Sequence, residues 1–100
     1  MMTLFTGLSA FSITPTDVAG RVDATALSGL LERISTAGVN SIGLLGSTGG
    51  YAFLSREERR RAVEIARDSV GGRVPVIVGV GALRTDEAET LARDARTAGA

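Results

Sequence analysis

The chain has 100 residues, of which 44% are hydrophobic and 22% charged, an ordinary globular make-up that excludes a disordered or low-complexity segment. Eleven arginines balance eleven acids, so no basic field exists to draw nucleic acid or an anionic membrane, and no apolar run approaches the length that spans a bilayer. Lysine, histidine, cysteine and tryptophan are missing, which excludes a lysine nucleophile, a disulfide framework and zinc chemistry within these residues; no cofactor is expected.

Met1–Met2–Thr3 opens directly into structured-looking sequence, without the basic region and apolar stretch of a secretory leader, which predicts a cytoplasmic protein. Leu8 to Ile13 reads as a first strand, stopped at Thr14–Pro15. A polar loop around Gly20 follows. Asp23 is placed to cap a helix whose apolar face is Leu27, Leu30, Leu31 and Ile34, and Gly38 ends it. Ile42 to Leu45 forms a second buried strand, which leaves through Gly46–Ser47–Thr48–Gly49–Gly50.

Ser55 starts the next helix, with Glu58 at the capping-box spacing. Ala62, Ile65, Ala66 and Val70 supply its apolar face, and Gly71–Gly72 ends it. Val74 to Val80 is the clearest strand, apolar on both faces, as in a sheet covered on both sides. Thr85 or Asp86 caps a third helix with Ala88, Leu91, Ala92, Ala95 and Ala98 inward, ended by Gly99. The two helix ends Ala37–Gly38–Val39 and Ala98–Gly99–Ala100 echo each other.

The order is β-α-β-α-β-α, with strands starting near residues 8, 41 and 74. It fits a doubly wound sheet or a closed barrel. Three parallel strands would leave apolar edges that call for more strands. Residues 1–100 are therefore expected to be the N-terminal part, strands and helices one to three, of a single (β/α)8 barrel domain, a fold of about 250 residues. A self-contained small α/β domain is the alternative.

The segment Gly46–Gly50 lies at a strand's carboxyl end, where barrels and doubly wound sheets both place their sites. Its hydroxyls and exposed backbone donors suit a carboxylate or phosphate. A plain loop, with Ser47 and Thr48 bonded to their own backbone, fits equally. A Walker loop is excluded by the missing lysine, and the dinucleotide fingerprint fails because Gly79–Val80–Gly81 runs into Ala82–Leu83–Arg84. Gly79 and Gly81 are expected to permit close packing at a strand end. Tyr51 is either a substrate contact or a surface anchor, and Phe53 is expected in core or interface packing. Arg56, Arg59, Arg60 and Arg61, interleaved with Glu57 and Glu58, read as a solvated mixed-charge helix face. Arg84 reads as a surface arginine or an attractor of anionic substrate.

Taken together, Phe5–Thr6–Gly7, Thr14–Pro15, Ala37–Gly38–Val39–Asn40–Ser41, Gly46–Ser47–Thr48–Gly49, Leu54–Ser55–Arg56–Glu57–Glu58 and Val74 through Ala82 resemble the dihydrodipicolinate synthase/N-acetylneuraminate lyase family of Schiff-base aldolases. The resemblance runs over essentially the whole chain. It implies a (β/α)8 barrel, assembled as a homo-oligomer (tetramer or dimer), acting on pyruvate or a related 2-oxo acid without a cofactor. It implies further that Ser47 and Thr48 hold the substrate carboxylate and that Ser47 joins a tyrosine proton relay. Gly46 and Gly49 would shape the loop. The Schiff-base lysine and the relay tyrosine are expected beyond Ala100, so these residues alone are expected to be inactive.

One departure stands out: the family usually has glutamate where this chain has Gly50. Serine at position 47 is commoner in the neuraminate-lyase-like and keto-deoxy-sugar-acid branches. A barrel-derived binding protein without catalysis is the competing reading, alongside the self-contained α/β domain.

Overall fold

The computed structural model describes residues 6–100. Phe5 of the first motif and the Met1–Met2–Thr3 opening lie outside the described residues. The elements follow the expected order: β1 (Ser9–Phe11), α1 (Ala24–Thr36), β2 (Ser41–Leu44), a 3-10 turn (Tyr51–Phe53), α2 (Arg56–Val70), β3 (Val76–Val78) and α3 (Thr85–Ala98).

The strands form one parallel sheet in the order β1-β2-β3, with Ser9 opposite Ser41 and Ile42 opposite Val76. The helices pack in succession, α1 on α2 and α2 on α3. Leu27 and Leu31 of α1, Ile42 and Leu44 of β2, and Ala66 and Val70 of α2 are buried between them. Val63, which the helical spacing did not single out, is buried with them. Burying each such aliphatic side chain stabilises the fold by about 1.5–3 kcal/mol before chain entropy is subtracted.

The strands are shorter than the apolar runs that encode them. Leu8 and Ile13 are exposed at either end of β1. β3 stops at Val78 rather than Val80 because its neighbour turns away. The Gly79 amide still donates to the Leu44 carbonyl (2.8 Å), but Leu45 then adopts a left-handed conformation with φ 59° and leaves the ladder.

Helix starts agree in part with expectation. The Asp23 carboxylate accepts from the Ala26 amide (3.0 Å), and the Ser55 hydroxyl accepts from the Glu58 amide (3.1 Å). Glu58 does not complete the capping box. Its Oε1 instead accepts from the buried Val22 amide (2.6 Å) and from Arg61 (3.2 Å), tying α2 to the segment that precedes α1. Neither Thr85 nor Asp86 caps α3. Thr85 is already helical, Arg84 holds the cap position, and the Asp86 carboxylate pairs with Arg84 at 2.8 Å. Ala95 and Ala98 are buried on α3, whereas Ala92 is exposed. The echo between helix ends is structural: Gly38 and Gly99 both have positive φ, 90° and 114°.

Strand order and helix placement alone suit either α/β architecture, since a doubly wound half-sheet also runs its first strands in sequence.

Candidate active site

The site is built around the kink at Leu45. This buried residue ends β2, and its backbone is held between two glycines. A Cβ on Gly49 would lie 3.0 Å from the Leu45 Cα and N and 3.3 Å from the Ser12 carbonyl. A Cβ on Gly79 would run into the Leu45 carbonyl. Both positions therefore require glycine, as the close packing expected of Gly79 implies. Gly49 is buried in this contact, and the Gly50 amide closes the loop on the Ser47 carbonyl (3.1 Å).

That closure leaves Ser47 and Thr48 exposed at the carboxyl end of β2. Among the described residues neither hydroxyl finds a protein partner, and the self-bonded loop is not what forms. Below them, Gly46 is half-buried beside the Phe11 ring. Ser12 and Thr14, on the segment leaving β1, carry buried hydroxyls without a partner among the described residues. Ser12 is not singled out by the sequence, and Thr14 stands out only with Pro15 as a strand stop and motif, because a single hydroxyl in an apolar run carries no periodic signal.

Gly50 sits where the backbone turns left-handed. Its φ is 65°, and it turns the loop directly into the 3-10 turn at Tyr51. A Cβ there would stand at an ordinary 3.9 Å from the Phe53 ring but bear about 1–2 kcal/mol of left-handed strain.

Tyr51 is half-buried and packed against its neighbours. Its ring packs where a Gly81 side chain would stand, 2.9 Å from such a Cβ, and the Arg59 guanidinium lies 5.2 Å from the ring centroid. Arg59 corrects the expectation of a solvated helix face. It is only 7% exposed, and it donates from Nη1 to the Gly81 carbonyl (2.8 Å) and from Nη2 to the Gly79 carbonyl (3.1 Å). Burial lowers its pKa, opposed in part by Tyr51. An arginine remains charged at neutral pH despite such a shift. Arg59 thus clamps the exit of β3 to the start of α2. A glycine pair at a strand end, facing an arginine on the next helix back, was the only sequence signal available for it.

Its neighbours behave otherwise. Arg56 is exposed and forms a two-pronged pair with Asp94 of α3 (2.6 and 3.0 Å), and Arg61 donates to the Val22 carbonyl at 2.5 Å. Phe53 is not core: it is 90% exposed. Arg84 is engaged by Asp86 rather than open to an anion.

A cleft of about 730 Å³ lies between the 3-10 turn and α3, lined in part by Tyr51, Arg56, Arg59, Gly81 and Glu87. Neither Ser47 nor Thr48 lines it. Strand-end sites in a barrel are walled by loops from all around the ring, and three strands provide only one side.

Parallel βα units carrying a glycine-cradled hydroxyl pair at a strand's carboxyl end define an α/β protein with a strand-end site. Comparison with known proteins makes this specific. The model of the dihydrodipicolinate synthetase family matches residues 4–100, and the chain belongs to that family. The 4-hydroxy-tetrahydrodipicolinate synthase of Thermus thermophilus is 47% identical over 81 residues, 81% of this chain and 27% of the relative. That of Bartonella quintana is 42% identical over 88 residues, 88% of this chain and 30% of the relative. The crystal structure of dihydrodipicolinate synthase from Agrobacterium tumefaciens superposes with a TM-score of 0.93 at 59% identity, over 96% of this chain and 32% of that one. A prophage protein of the same family from E. coli, solved in complex with pyruvate, superposes with a TM-score of 0.91 at 35% identity, over 98% of this chain and 33% of that one. The chain thus spans about a third of the length of the relatives it matches. The three units are those of a (β/α)8 barrel, which settles the choice that strand order left open.

Proposed function

We propose that residues 1–100 are the N-terminal part of a single (β/α)8 barrel domain that acts as a Schiff-base lyase or aldolase on pyruvate or a related 2-oxo acid. The observation that carries this reading is the pair of exposed, unpartnered hydroxyls of Ser47 and Thr48, held on a glycine-locked loop at a strand's carboxyl end. A carboxylate offers acceptors and no donors, so two hydroxyl donors hold it in one orientation. That orientation brings the adjacent keto carbon within reach of a nucleophile.

In this reading, a lysine beyond Ala100 adds its deprotonated amine to the keto carbon, and water leaves to give the imine. The protonated imine then accepts the electron pair of the C3–H or C3–C bond that breaks, forming an enamine. A tyrosine beyond Ala100 moves the protons, with the Ser47 hydroxyl as its relay partner. Gly46 and Gly49 keep the loop in shape. Since the amine is missing here, the described residues bind but do not react. The full protein is cytoplasmic in this proposal, and it assembles as a homo-oligomer, a tetramer or a dimer. The second reading, a barrel that binds without catalysis, is favoured by Gly50 in place of the usual glutamate.

The test is borohydride reduction of the full-length polypeptide in the presence of pyruvate, read by intact mass. Hydride addition to an imine leaves a stable secondary amine on one lysine, and that adduct is the expected result. Replacing Ser47 with Ala and Thr48 with Val together should weaken pyruvate binding at least 10-fold, the loss of about 1.4 kcal/mol or more of hydrogen bonding. No adduct on folded protein would overturn the Schiff-base reading in favour of a noncatalytic barrel.

A further inference from the structure

Phe11 is a large aromatic residue that the sheet leaves 61% exposed. It is the last residue of β1, so it stands at the carboxyl end of the strand, the end on which barrel sites are built. It pairs with Gly43 of β2, and the atoms nearest to a Cβ built on Gly43 all belong to the Phe11 ring. The ring therefore reaches over the neighbouring strand, into the space a side chain at position 43 would take. It also reaches the base of the hydroxyl loop, where a Cβ on Gly46 would stand 3.6 Å from its Cδ2 and 3.9 Å from its Cε2.

The face matters as much as the height. Ile42 and Leu44, the residues flanking Gly43, are packed into the helix-covered core. Side chains alternate across a strand, so Gly43 and the ring covering it belong to the opposite face, the one that lines the inside of a barrel. A glycine within a strand weakens it, and a close approach of another group is the usual compensation. Here the group that approaches is a largely exposed aromatic ring, beside Gly46 at the base of the Ser47–Thr48 loop.

We propose that Phe11 is a specificity-determining residue: its ring, seated on Gly43 and against Gly46, is the apolar floor of the 2-oxo-acid pocket and limits the size of acid that the Ser47–Thr48 loop admits. This rests on the Schiff-base reading above. A hydrophobic wall discriminates by volume, with one methylene corresponding to about 10- to 200-fold in selectivity. Removing the ring deepens the pocket and admits the larger acid.

The experiment is a competition. Full-length protein is given pyruvate and 2-oxobutyrate together, reduced with borohydride, and the two adducts, one methylene apart, are resolved by intact mass. Both substrates meet the same molecules, so the adduct ratio is independent of the fraction folded. For Phe11→Ala the ratio should move about 10-fold or more toward 2-oxobutyrate. The double variant F11A/G43V refills the interior layer from β2 without restoring a ring beside Gly46. It keeps the test available if the single variant does not fold, and it should show the same shift. An unchanged ratio in either variant, or a ratio that returns to that of the unmodified protein in the double variant, would assign Phe11 to packing alone and overturn the proposal. Absence of any adduct in the unmodified protein would overturn the Schiff-base reading together with it, whereas a pyruvate adduct with an unmoved ratio sinks only the role of Phe11.

Discussion

Replacing Arg59 with methionine tests whether the strand-to-helix clamp holds β3 in place. Methionine keeps the apolar stem and removes the guanidinium. Two hydrogen bonds are lost, to the Gly81 carbonyl at 2.8 Å and the Gly79 carbonyl at 3.1 Å, together with the stacking on Tyr51. Bonds from a charged donor contribute about 1.5–3 kcal/mol each, and about 1 kcal/mol where water can replace the lost partner. Gly81 is exposed and Gly79 half-buried, so the lower figure applies to the first and an intermediate one to the second. The cation–π contact adds about 0.5–1 kcal/mol. Against this, the buried Arg59 Nε has no partner, and removing it relieves a cost of about 1 kcal/mol. The net expectation is a destabilisation of about 2 kcal/mol, with Arg59→Lys losing roughly half as much, because an ammonium keeps one bond but not the planar fork. Urea unfolding of the full-length polypeptide measures this as a fall in midpoint at unchanged m. A loss under about 0.5 kcal/mol for the methionine variant would refute the clamp and return Arg59 to the status of a surface arginine.

Other consequences follow from polar groups that local pattern could not pair. Glu58→Ala should cost about 1–3 kcal/mol by leaving the buried Val22 amide without its acceptor, while Glu58→Gln, which keeps an acceptor oxygen, should recover most of it; matched denaturation curves would reveal equal losses if the 2.6 Å bond were unimportant. The Arg56 guanidinium, chiefly through its hydrogen bond, holds the Asp94 carboxyl below its ordinary value of 3.8. A depressed carboxylate stabilises the fold fully above that value and loses its contribution as pH falls through the folded pKa. Asp94→Asn should therefore lower the thermal midpoint at pH 7, with the gap to the unmodified protein closing as pH falls below 3.8; a gap constant with pH would exclude the linkage.

Much of the fold was legible because βα units announce themselves locally. Each apolar run and most of each helical face was recoverable from spacing, with Val63 missed and Ala92 wrongly placed inward, and Asp23, Ser55, Gly38 and Gly99 marked helix ends by chemistry that acts within a few residues. The hydroxyl loop was legible for the same reason, as a glycine-rich exit from a buried strand. Strand lengths were overestimated because an apolar run continues past the last rung of its ladder, and the ladder ends where Leu45 turns. The capping box assigned to Glu58 failed because a donor 36 residues away, the buried and otherwise unpaired Val22 amide, engages its carboxylate instead.

The sequence by itself thus determined the order of the elements, their apolar faces and the position of the Ser47–Thr48 loop, since periodicity, capping and glycine placement are properties of neighbouring residues. Only the tertiary structure decided that Arg59 is buried against two glycine carbonyls, that Phe53 is exposed and that the Phe11 ring occupies the space left by Gly43. Those outcomes depend on which distant backbone arrives opposite a side chain. A donor or a ring satisfies itself with whatever partner the packing brings within reach, and no local spacing encodes that.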